Sequence, residues 1–171
     1  DEWIAIYKHL SETERQAGIA ELRESLGVSI DEATPKRTAL NWDGLRALAE
    51  GGVTIGSHTV SHRILTSLTA DEVEEELHES KRHIEEKIGR PVTTFAYPNG
   101  MPEDHHPTHG GLLKKTGYHA SFTLSPAPCR FSEVREAPYF IRRTLIGHND
   151  TFEQFVGKAL GLNRAIALLK R

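Results

Sequence analysis

The sequence predicts an α/β fold built on a parallel sheet, and three observations carry that prediction. Helix-patterned and β-rich segments alternate along the chain. The stretches between the β-rich runs are helix-length, as parallel strands require, because no tight hairpin can join a parallel pair. Residues with metal-binding or turn chemistry follow directly after two of those runs, at the carboxyl ends where α/β folds collect their sites.

Residues 4 to 27 are polar with helical spacing. Leu10 and Ser11 precede Glu12 and Glu14 as a helix start, Ile19, Leu22 and Leu26 follow, and Gly27 is the stop. Residues 29 to 38 are of mixed polarity and contain Pro35, which reads as a loop or linker. Asn41 can cap a short helix from Trp42 to Glu50, with Leu45 and Leu48 on one face and Ala49 beside them. Gly51-Gly52 ends it, and Val53 to Gly56 reads as a buried strand. The clearest helix spans Ala70 to Ile88: Thr69 and Glu72 form a capping box, and Val73, Leu77, Ile84 and Ile88 make the apolar stripe. Gly89 supplies its C-terminal cap. Pro91 to Tyr97 reads as a strand, Leu112 to Thr116 as a short helix, and Tyr118 to Leu124 as another strand. Phe140 to Ile146 is a further strand candidate, and Thr151 to Lys170 a closing helix.

A chain of 171 residues fits one domain with a real core. Its formal charge of -3 is mixed in sign, which argues against nucleic-acid or polybasic membrane binding. No apolar run approaches the roughly 20 residues that span a bilayer. No signal-peptide pattern is visible, although the chain starts at Asp1 rather than Met and reads as an internal start. The single Cys129 rules out an internal disulfide framework.

The functional signal is His58 and His62, four residues apart at the end of the first β-rich run. On a helical turn that spacing places both imidazoles on one side, where they can converge on one ion. Imidazole suits zinc and its borderline neighbours, but a catalytic zinc usually takes three protein ligands and keeps an open position. The turn Tyr97-Pro98-Asn99-Gly100 ends the next β-rich run and so falls on the same rim. Asp104, His105, His106 and His109 form a second histidine-rich tract. Flanking Pro and Gly make that tract a flexible loop, carrying either an adventitious metal site or a wall of a substrate groove. Trp3 and Trp42 are candidates for sugar stacking or for helix anchoring.

The run from Thr54 to Leu65, Thr-Ile-Gly-Ser-His-Thr-Val-Ser-His-Arg-Ile-Leu, resembles the second motif of the polysaccharide deacetylases, carbohydrate esterase family four. Phe95-Ala96-Tyr97-Pro98-Asn99-Gly100 resembles the family's next block, Gly117-Tyr118-His119-Ala120-Ser121 its following strand, and Ile141-Arg142-Arg143 its late arginine segment. The resemblance implies a distorted (β/α) barrel, N-terminally incomplete in this chain, with a helical insertion or linker over residues 1 to 38 and the barrel portion over residues 39 to 171. It implies a hydrolase that removes acetyl groups from an N-acetylated polysaccharide with a divalent metal, usually zinc. A bacterial protein of the cell envelope or extracytoplasmic space follows by the same resemblance. His58 and His62 carry over as metal ligands, and the Asn99 backbone N–H as the oxyanion donor. Tyr97, Pro98 and Gly100 carry over as substrate-binding positions, and Arg143 and His148 as catalytic candidates.

Three departures qualify that expectation. The family's opening block, a strand ending in Thr-Phe-Asp-Asp-Gly, has no counterpart before His58, where the only aspartates are Asp1, Asp31 and Asp43. The third ligand and the general base are therefore missing, and the chain by itself is expected to be inactive. Ala96 stands where many members carry Arg; Arg143 is either a replacement cation or a salt-bridge residue. Leu145-Ile146-Gly147-His148 matches the late Leu-x-His block only loosely, leaving His148 as a catalytic acid or a solvent-exposed loop histidine. A barrel lacking its first strands exposes an edge and apolar helix faces, to be covered by a partner copy, by swapping or by another segment. Two rival functions remain open: a non-catalytic glycan-binding or scaffold homologue, and a relative that hydrolyses small cyclic amides.

Overall fold

The computed structural model describes residues 10–27, 40–124 and 129–162. The chain divides into two units, Asp1–Leu45 and Arg46–Arg171. In the first unit, α1 (Glu12–Ser25) starts where its caps dictate. Ser11 accepts from the Glu14 N–H, and the Glu14 carboxylate takes the Ser11 N–H in return. The expected loop over residues 29 to 38 lies outside the described residues, as do Trp3 and the expected helical stretch before residue 10. Helix α2 (Trp42–Glu50) begins at Asn41, whose Oδ1 accepts from the Gly44 N–H at 2.9 Å.

The second unit is organised by α3 (Ala70–Ile88) and three short strands, β1 (Thr94–Ala96), β2 (Ala120–Thr123) and β3 (Ile141–Arg142). The strands run parallel in the order β1-β2-β3. Each link between them carries a helix, α4 (Thr108–Lys115) and then α5 (Phe131–Glu136), as parallel pairing demands. Helix α6 (Phe152–Ala159) follows, capped by Thr151. The remainder of the expected closing helix lies outside the described residues.

Helix α3 follows the sequence closely. Thr69 and Glu72 close the capping box, and Gly89 ends the helix in the left-handed region at φ 67°. Its apolar stripe is the core face. Val73 and Leu77 are fully buried with Leu65, Val92, Phe95, Tyr97, Leu113 and Tyr118, while Ile84 and Ile88 pack against that cluster. The Tyr118 hydroxyl, buried with its ring, donates to the Leu77 carbonyl at 2.9 Å and so keeps its polar atom satisfied.

The strand expected over residues 53 to 56 does not form. Val53 remains 49 % exposed, and the ladder is touched only one residue later, where Ser57 makes an isolated parallel bridge to Phe95. An apolar run shows that a segment suits a strand; it does not show that neighbours stand on both sides of it. The other strands are also shorter than their β-rich runs. Helix α5 was without a sequence expectation, and α4 begins four residues before its predicted start.

Candidate metal centre

His58 and His62 lie beside the carboxyl end of β1, and the backbone that carries them explains why their rings meet. Ser57 docks on β1 through two hydrogen bonds, its N–H to the Thr94 carbonyl and its own carbonyl to the Ala96 N–H, both at 2.9 Å. Its side chain is buried and bonded to Ser80 of α3 at 2.7 Å. His58 is thereby delivered to the strand end, where its Nδ1 lies 2.7 Å from the Ala96 carbonyl. A carbonyl can only accept, so Nδ1 carries the proton and Nε2 keeps its lone pair. A carbonyl partner on the second ring nitrogen is the usual support of a metal-binding histidine.

The pair does not sit on a helical turn, which corrects the geometry expected from its spacing. Residues 59 to 62 form a tight bend with Thr59 at φ 65° and His62 at φ 60°, both left-handed. The Thr59 hydroxyl locks the bend from within, accepting from the His62 N–H at 3.0 Å and donating to the His58 carbonyl at 2.5 Å. From outside, the Glu76 carboxylate accepts from the Val60 and Ser61 N–H groups at 2.7 and 3.1 Å and from the Ser61 hydroxyl. The imidazoles meet edge to face with centroids 4.8 Å apart. Burial holds His58 below its ordinary pKa, and positive charge at His62 and Arg143 adds to this, while the Ala96 bond opposes it. A neutral ring is the form that ligates a metal.

These two rings fit a divalent ion as far as they go. They supply two nitrogen donors, one with its tautomer fixed for ligation, on a surface that solvent reaches. Among the described residues no third His, Cys, Asp or Glu joins them to form a group that could hold a metal.

Of the other expected site residues, Asn99 sits on the same rim in the left-handed region at φ 54°, half-buried, and its N–H has no acceptor among the described residues. Arg143 ends the run begun by β3. Its backbone N–H and its Nε both donate to the Thr123 carbonyl, at 3.2 and 3.0 Å. It makes no salt bridge among the described residues, and its charge bears on His58 instead. His148 is exposed, in a turn closed by the Gly147 N–H on the Asp150 carboxylate at 2.6 Å.

Tyr97, Pro98 and Gly100, expected to bind substrate, are buried. The Tyr97 ring is 0 % exposed, stacked 5.9 Å from Phe140 and bonded through its hydroxyl to the Tyr139 carbonyl at 3.1 Å. Pro98 and Gly100 are buried beside it. A strand-end turn in an α/β fold must also seal the core, and these three residues do that, leaving no side-chain surface for a ligand. Trp42, at the start of α2, is 43 % exposed.

The histidine-rich tract is also corrected, from a flexible loop to folded structure. Pro102–Asp104 is a short 3-10 turn with Asp104 buried and accepting from the Met101 N–H. His105 packs on Tyr97 and Phe140, with centroids at 5.2 and 5.4 Å. His109 is buried on α4, and its Nδ1 accepts the His106 N–H at 3.1 Å. A nitrogen that accepts is unprotonated, and burial pushes the His109 pKa down to about 4, with charge at His106 and His105 adding to the effect. The unfolded chain binds that proton near pH 6.5 and the folded chain only near 4, so unfolding takes up protons in between. The melting temperature is therefore expected to fall as pH drops from about 6.5 to about 4. His109→Gln should make that decline shallower, as melts recorded across the window will read. His58 and His105 are lowered too, so the slope should not vanish.

Thr59, Glu76 and the Ala96 carbonyl were missed as parts of the site. Thr59 had a local signal, a hydroxyl three residues before an N–H it can cap within a turn. Glu76 had none, since its contact spans 15 and 16 residues.

Comparison with known proteins bears on the family and the fold. The polysaccharide deacetylase family matches residues 10–121. A Bacillus subtilis (strain 168) relative, YxkH, bears the polysaccharide deacetylase name and is 28 % identical over 87 residues, which are 51 % of this chain and 30 % of that protein. The structure of a polysaccharide deacetylase from Bacillus cereus superposes with a TM-score of 0.62 at 25 % identity, covering 82 % of this chain and 46 % of that one. The Streptococcus pyogenes deacetylase PplD, solved with acetate, superposes at 0.64 and 18 % identity, covering 72 % and 52 %. The chain thus spans about half the length of these structures and under a third of the Bacillus subtilis relative. With a family match over 10–121 and the histidine pair at the rim of a parallel sheet, this chain belongs to the polysaccharide deacetylase family.

Proposed function

We propose that the chain carries the histidine half of a metal-dependent deacetylase that hydrolyses N-acetyl groups on a polysaccharide. The observation that supports this most is the His58 Nδ1 bond to the Ala96 carbonyl, which leaves Nε2 free beside the His62 ring. In this reading the three strands belong to a distorted β/α barrel, and His58 and His62 hold a divalent ion, with zinc as the best match to imidazole. Such an ion polarises the acetyl carbonyl and lowers the pKa of water. The Asn99 N–H takes the charge that develops on the acetyl oxygen, and Arg143, anchored on the Thr123 carbonyl, adds positive charge nearby. The third ligand and the general base come from outside the described residues, so the described part is not sufficient for turnover.

Equilibrium dialysis with zinc tests the reading. His58→Ala is expected to remove the bound equivalent that the wild-type chain retains, and unchanged uptake would sink the assignment. A non-catalytic glycan-binding module is the second reading, favoured by a donor set of only two among the described residues. It predicts binding of an N-acetylated oligosaccharide with no acetate released.

A further inference from the structure

We propose that Glu76 is a positioning residue for the histidine pair: from α3 its carboxylate sets the turn that carries His62, and with it the affinity of the pair for a divalent cation. The inference rests on the reading of His58 and His62 as ligands. All three bonds of the Glu76 carboxylate, to the Val60 and Ser61 N–H groups and the Ser61 hydroxyl, fall within that turn. Its neighbours on the helix are engaged elsewhere: Glu72 with Thr69 and Arg63, Glu74 with Lys115, Glu79 with Arg82, Glu85 with Lys81 and the Val92 N–H.

The turn needs an external hold. Thr59 and His62 both adopt left-handed backbone, disfavoured for any residue with a Cβ and most of all for a β-branched one. Such conformations persist only where the surroundings over-determine them. The Thr59 hydroxyl fixes the shape of the turn but not its place relative to β1, where the Ala96 carbonyl anchors His58. Glu76 fixes the place. It stands one residue from Leu77, which is buried against the same core as Phe95 of β1. The two imidazoles are therefore referenced to one packed core through different elements, His58 through β1 and His62 through α3. Hydrogen bonds to an ionised acceptor are short and strong, so the carboxylate suits this task.

The test is a zinc titration of the full chain against a chromophoric chelator at fixed neutral pH, with imidazole NMR signals of His58 and His62 followed in parallel. Glu76→Ala is expected to weaken zinc binding by about 10- to 100-fold, the usual cost of losing support behind a ligand. Faster amide exchange at Val60 and Ser61, with α3 amides unchanged, should accompany it. Glu76→Gln keeps an acceptor for the two N–H groups and should stay closer to wild type. Glu75→Ala, the same charge change on an exposed neighbour, should bind as wild type. If Glu76→Ala does not fold, Ser61→Ala removes one of the three bonds and should weaken binding in the same direction. Wild-type zinc affinity in Glu76→Ala or Ser61→Ala, or equal losses in Glu76→Ala and Glu75→Ala, overturns the proposal. Should His58→Ala also leave zinc binding untouched, the ligand reading fails instead, and that outcome is separable from the first.

Discussion

Phe95→Ala is expected to lower stability by about 3–5 kcal/mol, read as a drop in the urea midpoint at an unchanged m-value. Few domains hold more than about 5–15 kcal/mol in total, so the loss is a large share of what keeps the chain folded. The residue sits at the centre of the core. Its ring packs at 5.4 Å on Tyr97 and 5.5 Å on Tyr118, its strand pairs with β2 through Ser121, and Ser57 bridges to it from the other side. Removing the ring leaves a cavity that short strands close only by shifting, and β1 carries the Ala96 carbonyl that orients His58. Zinc binding should therefore weaken together with stability. Phe131→Ala is the control: that ring is 79 % exposed, and its loss should change stability by no more than about 0.5 kcal/mol.

Gly100→Ala should cost about 1–3 kcal/mol through the backbone, because φ is 77° and a Cβ is disfavoured there. Space makes it worse. A Cβ at this position would lie 2.9 Å from the Leu124 N and 3.3 Å from the Tyr97 carbonyl, both backbone atoms that cannot swing aside. The Leu124 N–H bond to the Gly100 carbonyl, at 2.7 Å, ties this turn to the end of β2. Relief requires moving the turn, and Asn99 moves with it. Thermal melts of the variant should show the loss. A stability equal to wild type would mean the turn is softer than its contacts imply.

Helices were legible in the sequence where their signals are local. Ser11, Asn41, Thr69 and Thr151 each cap within three residues of themselves, and the Val73–Leu77 stripe repeats at the period of one helix. The strand at 53–56 was misread because its burial depends on partners elsewhere in the chain, and only Ser57 finds one. The burial of Tyr97 was hidden for the converse reason. A motif marks a turn on the rim, but which way each side chain of the turn points is set by Phe140, Tyr139 and α4 packing beneath it.

The sequence by itself determined the family, the parallel α/β class and the two histidines, since these depend on residue identity and short spacing. Tertiary structure decided how those histidines are held. The bend at Thr59 and His62, the Ala96 carbonyl behind His58 and the Glu76 carboxylate over Val60 and Ser61 are contacts across 15 to 38 residues or backbone angles without a glycine to announce them. Neither periodicity nor composition encodes such contacts, because they exist only once α3 and β1 share a core.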